Sequence, residues 1–279
     1  MTIPLRGIRA VGFVFASLIA SLAPPAVAQV SIVGDLSQDH EARPGESYSG
    51  SILVRNDSNE PQEAKLYQTD YLFSFDGTNN YAEPGSTPRS NARWVSFSPS
   101  FLVVPPQQSV AVNFSVAIPK TVGGQELAGT YWSMLMVEGI AKESAESSRP
   151  KKNDKPEMGL RQTLRYGIQI ATHITGTGSK SVRFIEAKLV KGDAGETFLR
   201  VDIEDNGTIG FRPDVYVELF DAKGASKGKF PGHRYRLYPG TSVRQMIGLH
   251  GVGPGTYKAL VVVDAGGDDV YGAQYTLNF

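Results

Sequence analysis

The sequence of 279 residues contains no cysteine. This absence excludes disulfide bonds, thiolate metal sites, a cysteine nucleophile and the lipid-modified cysteine of a bacterial lipoprotein. The chain also lacks net charge, because 28 lysine and arginine residues balance 28 aspartate and glutamate residues. Proteins that bind nucleic acid usually carry a basic surface, so this neutrality argues against a nucleic-acid partner. Long amphipathic helical stretches are missing as well, which disfavours a helical or α/β fold.

One apolar run is present, at the N-terminus, and it is short. Arg6 and Arg9 precede apolar residues from Val11 to Leu22, and the triplet Ala26-Val27-Ala28 follows. A basic start, an apolar centre and an A-x-A site are typical of a secretory signal peptide, here cleaved after Ala28. The run covers about 12 residues, whereas a membrane-spanning helix needs about 20. We therefore expect an exported protein, periplasmic or secreted to the cell surface, with no integral membrane segment after cleavage.

The rest of the chain is rich in two-residue alternation between apolar and polar side chains. Tyr48–Val54, Ala64–Gln68 and Val110–Val116 alternate in this way, and turn signals such as Asn56–Asn59 and Asn206-Gly207 separate such runs. Alternation with period two predicts strands that are buried on one face. The sequence thus predicts an all-β fold of two tandem immunoglobulin-like β-sandwich domains.

The prediction of two domains rests on an internal repeat. Gly129-Thr130-Tyr131 and Gly255-Thr256-Tyr257 each open an apolar run, and each is preceded by a related Pro-led segment, Pro106–Val110 and Pro239–Val243. The two pairs have different offsets, which indicates an insertion in the first copy near Thr121–Leu127. The predicted boundaries are a signal peptide at 1–28, a first domain at 29–176 with a mobile polar loop at 141–157, a hinge at 177–181 and a second domain at 182–279.

The strongest alternation follows the polar loop, from Leu160 to Ile174. One interpretation is a core strand whose apolar face is wholly internal. The other is a strand whose first part overhangs the sandwich and pairs with a partner by β-strand addition, its arginines keeping the edge soluble. The candidate partner-binding residues are Leu160, Arg161, Leu164, Arg165, Tyr166 and Ile168.

These features resemble a known family. The segments SILVRN at Ser51–Asn56, WVSFSPSFLVV at Trp94–Val104 and LRQTLRYGIQI at Leu160–Ile170 are similar to the N-terminal domain of periplasmic pilus chaperones. The layout also resembles WxL-interacting surface proteins of Gram-positive bacteria, without their C-terminal transmembrane helix. The first resemblance implies two immunoglobulin-like domains set at an angle and a final strand that is lent to an incomplete pilin subunit. The implied partner is an exported polypeptide, pilin-like or a surface protein.

Motifs for catalysis and metal binding have simpler interpretations. Gly224–Gly228 matches the G-x-S-x-G nucleophile elbow, but Pro231 follows closely and disfavours the helix that the elbow needs, so a hairpin is expected. Asp202–Gly207 resembles half of a calcium loop, yet Pro213 stands where the bidentate glutamate should be. We expect no enzymatic activity, cofactor or metal. The favoured function is a chaperone-like protein that binds fimbrial or surface polypeptides. The alternative is a structural or adhesive envelope module that binds peptidoglycan or another surface protein.

Overall fold

A computed structural model of the chain describes residues 30–141, 144–148 and 163–279. The predicted signal peptide and most of the predicted loop at 141–157 lie outside these residues. Within the described part, regular structure is almost entirely β, with one short 3-10 helix at Ala92–Trp94. No helix in that part is long and apolar enough to cross a membrane. The prediction of an all-β fold is confirmed.

The strands fall into two groups along the chain. The first group comprises β1 (Ser31–Val33), β2 (Ser37–Ala42), β3 (Ser47–Arg55), β4 (Gln62–Phe73), β5 (Asn79–Ala82), β6 (Val95–Ser98), β7 (Phe101–Val104), β8 (Ser109–Ala117), β9 (Thr121–Val122), β10 (Gln125–Glu126), β11 (Gly129–Ile140) and β12 (Arg165–Ile174). The second group comprises β13 (Val182–Lys191), β14 (Thr197–Asp205), β15 (Asp214–Phe220), β16 (Ser226–Pro231), β17 (Ser242–Gly248), β18 (Thr256–Asp264) and β19 (Val270–Asn278).

The first group forms a sandwich of two sheets. One sheet has the order β1-β3-β8-β6, and the other has the order β2-β12-β11-β4-β5, with β7 also paired to β4. Because side chains alternate between the two faces of a strand, each sheet turns an apolar row inward. Val54, Val112, Leu135 and Ile168 are fully buried where these rows meet.

The second group forms a smaller sandwich with sheets β13-β14-β17 and β16-β15-β18-β19. Its core is separate from the first and includes the fully buried Val201, Val217, Ile247 and Val261. The chain is therefore built from tandem immunoglobulin-like sandwiches, as the sequence predicts.

The internal repeat corresponds to equivalent strands. β8 and β17 follow the two Pro-led turns, and β11 and β18 begin within the two Gly-Thr-Tyr segments. The insertion predicted near Thr121–Leu127 is the small hairpin of β9 and β10. Its turn is formed by Gly123 and Gly124, both with positive φ, which glycine adopts without steric cost. The hairpin explains why the two repeated motifs have different offsets.

The two sandwiches meet through an aromatic stack. The rings of Trp132 on β11 and Tyr238, which precedes β17, lie 4.6 Å apart and nearly parallel, with Ala171 of β12 buried beside them. The Tyr238 hydroxyl donates to the Gln169 side chain at 3.2 Å, and an ion pair joins Arg236 to Asp39 at 2.5 Å. These contacts place the second sandwich over one part of the β12 face.

Candidate strand-binding edge

The outer edge of β12 is paired along only part of its length. On one side β11 pairs with the whole of β12, from Arg165 to Ile174. On the other side β2 runs parallel and pairs only with Gln169–Ile174. Within the described residues, no strand pairs with the outer side of Arg165–Ile168. We call this outer side of Arg165–Ile168 the open edge.

The register of β12 shows which backbone groups face the open edge. Gly139 N donates to Leu164 O at 3.3 Å, on the β11 side, whereas Gln169 N donates to Leu36 O at 2.9 Å, on the β2 side. Successive residues of a strand direct their hydrogen-bonding groups to opposite sides. The N–H and C=O groups of Arg165 and Gly167 therefore point outward from the open edge. Such an unpaired row is a template for another strand.

The predicted partner-binding residues occupy different environments. Leu160 and Arg161 lie outside the described residues. Leu164 is half-buried and lies just before β12, so the regular strand begins at Arg165 and is shorter than the alternation predicts. The pairing weakens at this end, where the bond between Gly139 and Leu164 is long at 3.3 Å.

The last three predicted residues lie within β12 itself. Arg165 is exposed, and Tyr166 is half-buried against the first core. Ile168 is fully buried in that core. Its side chain therefore stabilises its own domain, and only its place along the edge is available to a partner. A partner-binding role for these residues stays a prediction.

A charged row crosses the sheet beside the open edge. Glu138 of β11 accepts a hydrogen bond from Tyr67 at 2.9 Å and forms ion pairs with Arg165 at 2.9 Å and Lys65 at 3.7 Å. Burial and the bond to Glu138 raise the pKa of Tyr67. A hydrogen bond to Glu146 raises the pKa of Lys65. The row holds the Arg165 side chain over β11, away from the outward-facing backbone groups.

An apolar row lies next to the charged one. Tyr67, Met136 and Gly167 are neighbours across β4, β11 and β12. Gly167 carries no side chain on this face, and the flexible end of the Met134 side chain occupies the space that a Cβ at residue 167 would take. A cavity of about 300 Å³ opens over the row, lined by Tyr67, Thr69, Tyr81, Met136, Arg165 and Gly167.

Sequence reasoning missed this cavity. The apolar alternation draws attention to the even-numbered face of β12, which is the core face. The available signal was Gly167 itself, since glycine inside a strand often marks a close approach of another group.

The motifs considered for catalysis and calcium binding have structural roles. Ser226 is the first residue of the edge strand β16, after a turn in which Asp221 accepts from the Lys223 and Ala225 amides. The expected hairpin is confirmed. Asp202 is buried and forms a two-pronged ion pair with Arg244, both distances 2.7 Å. In the described residues, no group of three or more His, Asp or Glu side chains is arranged to hold a metal ion.

Buried Asp205 closes the Asn-Gly turn of the half calcium loop. Its Oδ1 accepts from Gly207 N at 2.8 Å, and burial raises its pKa to about 7. The Asp205 carboxyl therefore stabilises the turn that follows β14.

Comparison with known proteins identifies structural neighbours. The chain is similar to fimbrial chaperones. The class 5 fimbriae chaperone CfaA is 13% identical over 89% of this chain and 98% of that one, with a TM-score of 0.44. The CsuC–CsuE chaperone–tip subunit pre-assembly complex of Acinetobacter baumannii matches at 11% identity over 88% and 98% of the two chains, with a TM-score of 0.44. The E. coli chaperone DraB matches at 15% identity over 88% and 95%, with a TM-score of 0.42. No protein-family model and no curated protein matches.

Proposed function

We propose that this protein binds exported polypeptides by β-strand addition at the open edge of β12, as a non-enzymatic, chaperone-like component of the cell envelope. The proposal rests on the observation that β2 begins only at Ser37, opposite Gln169. In the described residues, no strand therefore pairs with the outward backbone groups of Arg165 and Gly167. Main-chain hydrogen bonds give such an interface its affinity, and side-chain pockets give it specificity. The predicted signal peptide supports this proposal, because it would direct the protein to a compartment through which unfolded exported chains pass.

The open edge is held rigidly by its own domain, so this protein should lose little conformational entropy when a strand binds there. Ile168 and Ile170 fix one face of β12 in the core, and β11 pairs with its inner side over its full length. An incoming strand would therefore meet preformed donors and acceptors, and preformed sites lose less conformational entropy on binding. Most of the conformational entropy lost on binding would therefore be lost by the partner.

The test removes one outward N–H group. Proline has no amide hydrogen, so Arg165→Pro removes the Arg165 donor, whereas Arg165→Ala keeps it and removes the same ion pair with Glu138. Tagged variants are used to capture proteins from the extract of the compartment to which the chain is exported. We expect Arg165→Ala to retain the captured protein and Arg165→Pro to lose it.

A matched control lies on another sheet edge. Lys229 in β16 is exposed and also directs its N–H outward, because its neighbours Phe230 and Gly228 face β15 and Gly232 N donates to Val215 O. Lys229→Pro should leave capture unchanged. Equal capture by all variants would refute strand addition at β12 and favour the alternative of a structural or adhesive envelope module that binds through another surface.

A further inference from the structure

Among the described residues, the second sandwich covers only part of the β12 face that looks toward it. At Ala171 it is covered by Tyr238, stacked on Trp132. At Gly167, four residues nearer the start of β12, the neighbours across the sheet are Met136 and Tyr67, and a cavity of about 300 Å³ lies over them. The uncovered part of this face lies directly beside the open edge.

From this juxtaposition we infer that the cavity over Gly167 is a specificity pocket, which accepts one bulky apolar side chain of the strand added at the open edge. The inference rests on the proposed function and names the chemistry that the bound segment must carry. Side chains of an added strand alternate between the two faces, so one of them must lie beside Gly167 on the cavity side. Gly167 offers no side chain of its own there, and the incoming residue meets the flexible ends of Met134 and Met136.

The lining of the cavity selects an apolar occupant. Met136 lines the cavity, and the flexible end of Met134 lies against Gly167 at its floor. Methionine side chains are flexible and polarisable, and they adapt to aromatic and aliphatic partners. Tyr81, more than half exposed, and Tyr67 add aromatic walls. Tyr67 uses its hydroxyl on Glu138 and leaves its ring to the cavity.

Charge at the rim disfavours an acidic occupant. Glu138 lies one row from Gly167 and already pairs with Arg165 and Lys65. A carboxylate in the cavity would lose hydration against an apolar floor, which costs free energy. Arg165 would not compensate for this loss, because it already pairs with Glu138. The preferred segment is therefore an extended, uncharged strand with one phenylalanine, leucine or similar side chain facing the cavity.

The test uses synthetic peptides as probes of the full chain. Each peptide alternates serine and threonine, is acetylated and amidated at its ends, and carries phenylalanine, alanine or aspartate at its centre. Binding is followed by nuclear magnetic resonance through the amide signals of Arg165 and Gly167. We expect the phenylalanine peptide to bind about tenfold more tightly than the alanine peptide, from burial of its ring. The aspartate peptide should bind most weakly.

The matched variants alter only the floor of the cavity. Gly167→Ala places a methyl group where Met134 Cε now lies, and that flexible chain end can move aside. The variant should lose about tenfold for the phenylalanine peptide and little for the alanine peptide. Gly272→Ala in β19 is the control, since a Cβ there makes only an ordinary contact with Leu260 Cδ1 at 3.7 Å.

The outcomes separate the pocket from the proposed function. Equal binding of the phenylalanine and alanine peptides, both abolished by Arg165→Pro, would overturn the pocket and leave strand addition standing. Absence of any shift at Arg165 and Gly167 with all peptides would overturn both. Self-association that disappears in Arg165→Pro would show that a second copy of this chain occupies the edge, which would overturn the inferred occupant.

Discussion

The two parts of β12 carry the same alternation but have different surroundings. Gln169–Ile174 is paired on both sides, and Ala171 within it lies under Tyr238 of the second sandwich. In the part of the chain that the structure describes, Arg165–Ile168 is paired on one side only, and a cavity lies over Gly167. In both parts the even-numbered side chains of Ile168 and Ile170 are fully buried. The two parts therefore differ at the edge and on the odd-numbered face, and they share the core face that the alternation predicts.

The prediction with the greatest effect on stability compares Ile170 in the core with Leu164 just before β12. Ile170→Ala should lower the free energy of unfolding of the first sandwich by about 2–5 kcal/mol, because a cavity forms in a close-packed core. Leu164→Ala, at a half-buried position before β12, should cost less than about 1 kcal/mol. Urea unfolding measures both. Equal losses would mean that Leu164 belongs to the core and would weaken the distinction between the two parts of the strand.

Removing the Tyr238 ring should affect only Gln169–Ile174, the part of β12 that is paired on both sides. Tyr238→Ala deletes the ring stacked on Trp132 at 4.6 Å and should cost about 2 kcal/mol, reduced by partial closure of the two sandwiches over the vacated space. Hydrogen exchange should then rise at Ala171 and stay unchanged at Tyr166, whose N–H faces β11. Tyr238→Phe keeps the ring and loses only the bond to Gln169, so it serves as the control. Faster exchange along the whole strand would contradict independent behaviour of the two parts.

Low pH should weaken the ion pair between Asp39 and Arg236, which joins the two sandwiches. Burial alone would raise the pKa of Asp39, but the hydrogen bond to His173 and the charges of Arg236, His173 and Arg212 outweigh it and hold this pKa below its ordinary value of 3.8. A carboxyl with a lowered pKa stabilises the folded protein fully above its unfolded pKa, and the contribution is lost as the pH falls below about 4.

The Asp39→Asn variant tests this dependence. The difference in unfolding free energy between the wild type and Asp39→Asn should be present at about pH 5 and should shrink below about pH 4. A difference that does not change with pH would show that the ion pair between Asp39 and Arg236 adds nothing to the contact between the sandwiches.

The smallest expected effect concerns the charged row. Arg165→Ala removes an ion pair whose arginine side chain is 61% exposed, so the free energy of unfolding should change by less than about 1 kcal/mol. Glu138 keeps its contacts with Lys65 and Tyr67. A larger loss in thermal or urea unfolding would mean that the open part of β12 depends on its side-chain anchor more than on its backbone pairing.

Local pattern was sufficient to predict much of the architecture. Period-two alternation predicts strands, and the paired Gly-Thr-Tyr and Pro-led motifs predict two copies of one sandwich, because these signals arise from short-range geometry. The offset between the copies even located the hairpin of β9 and β10. The strand after the polar loop was also predicted, although it begins at Arg165 and not at Leu160.

The strand content, the repeat and the apolar face of β12 thus follow from the sequence alone. The tertiary fold sets the start of β2 pairing at Ser37, the cover of Ala171 by Tyr238, and the contact of Met134 and Met136 with Gly167. The physical reason is that alternation reports which way side chains point, whereas cover and pairing depend on residues far away in the chain. Asp39 and Tyr238 are separated by most of the protein, yet they help to divide one strand into a closed part and an open one.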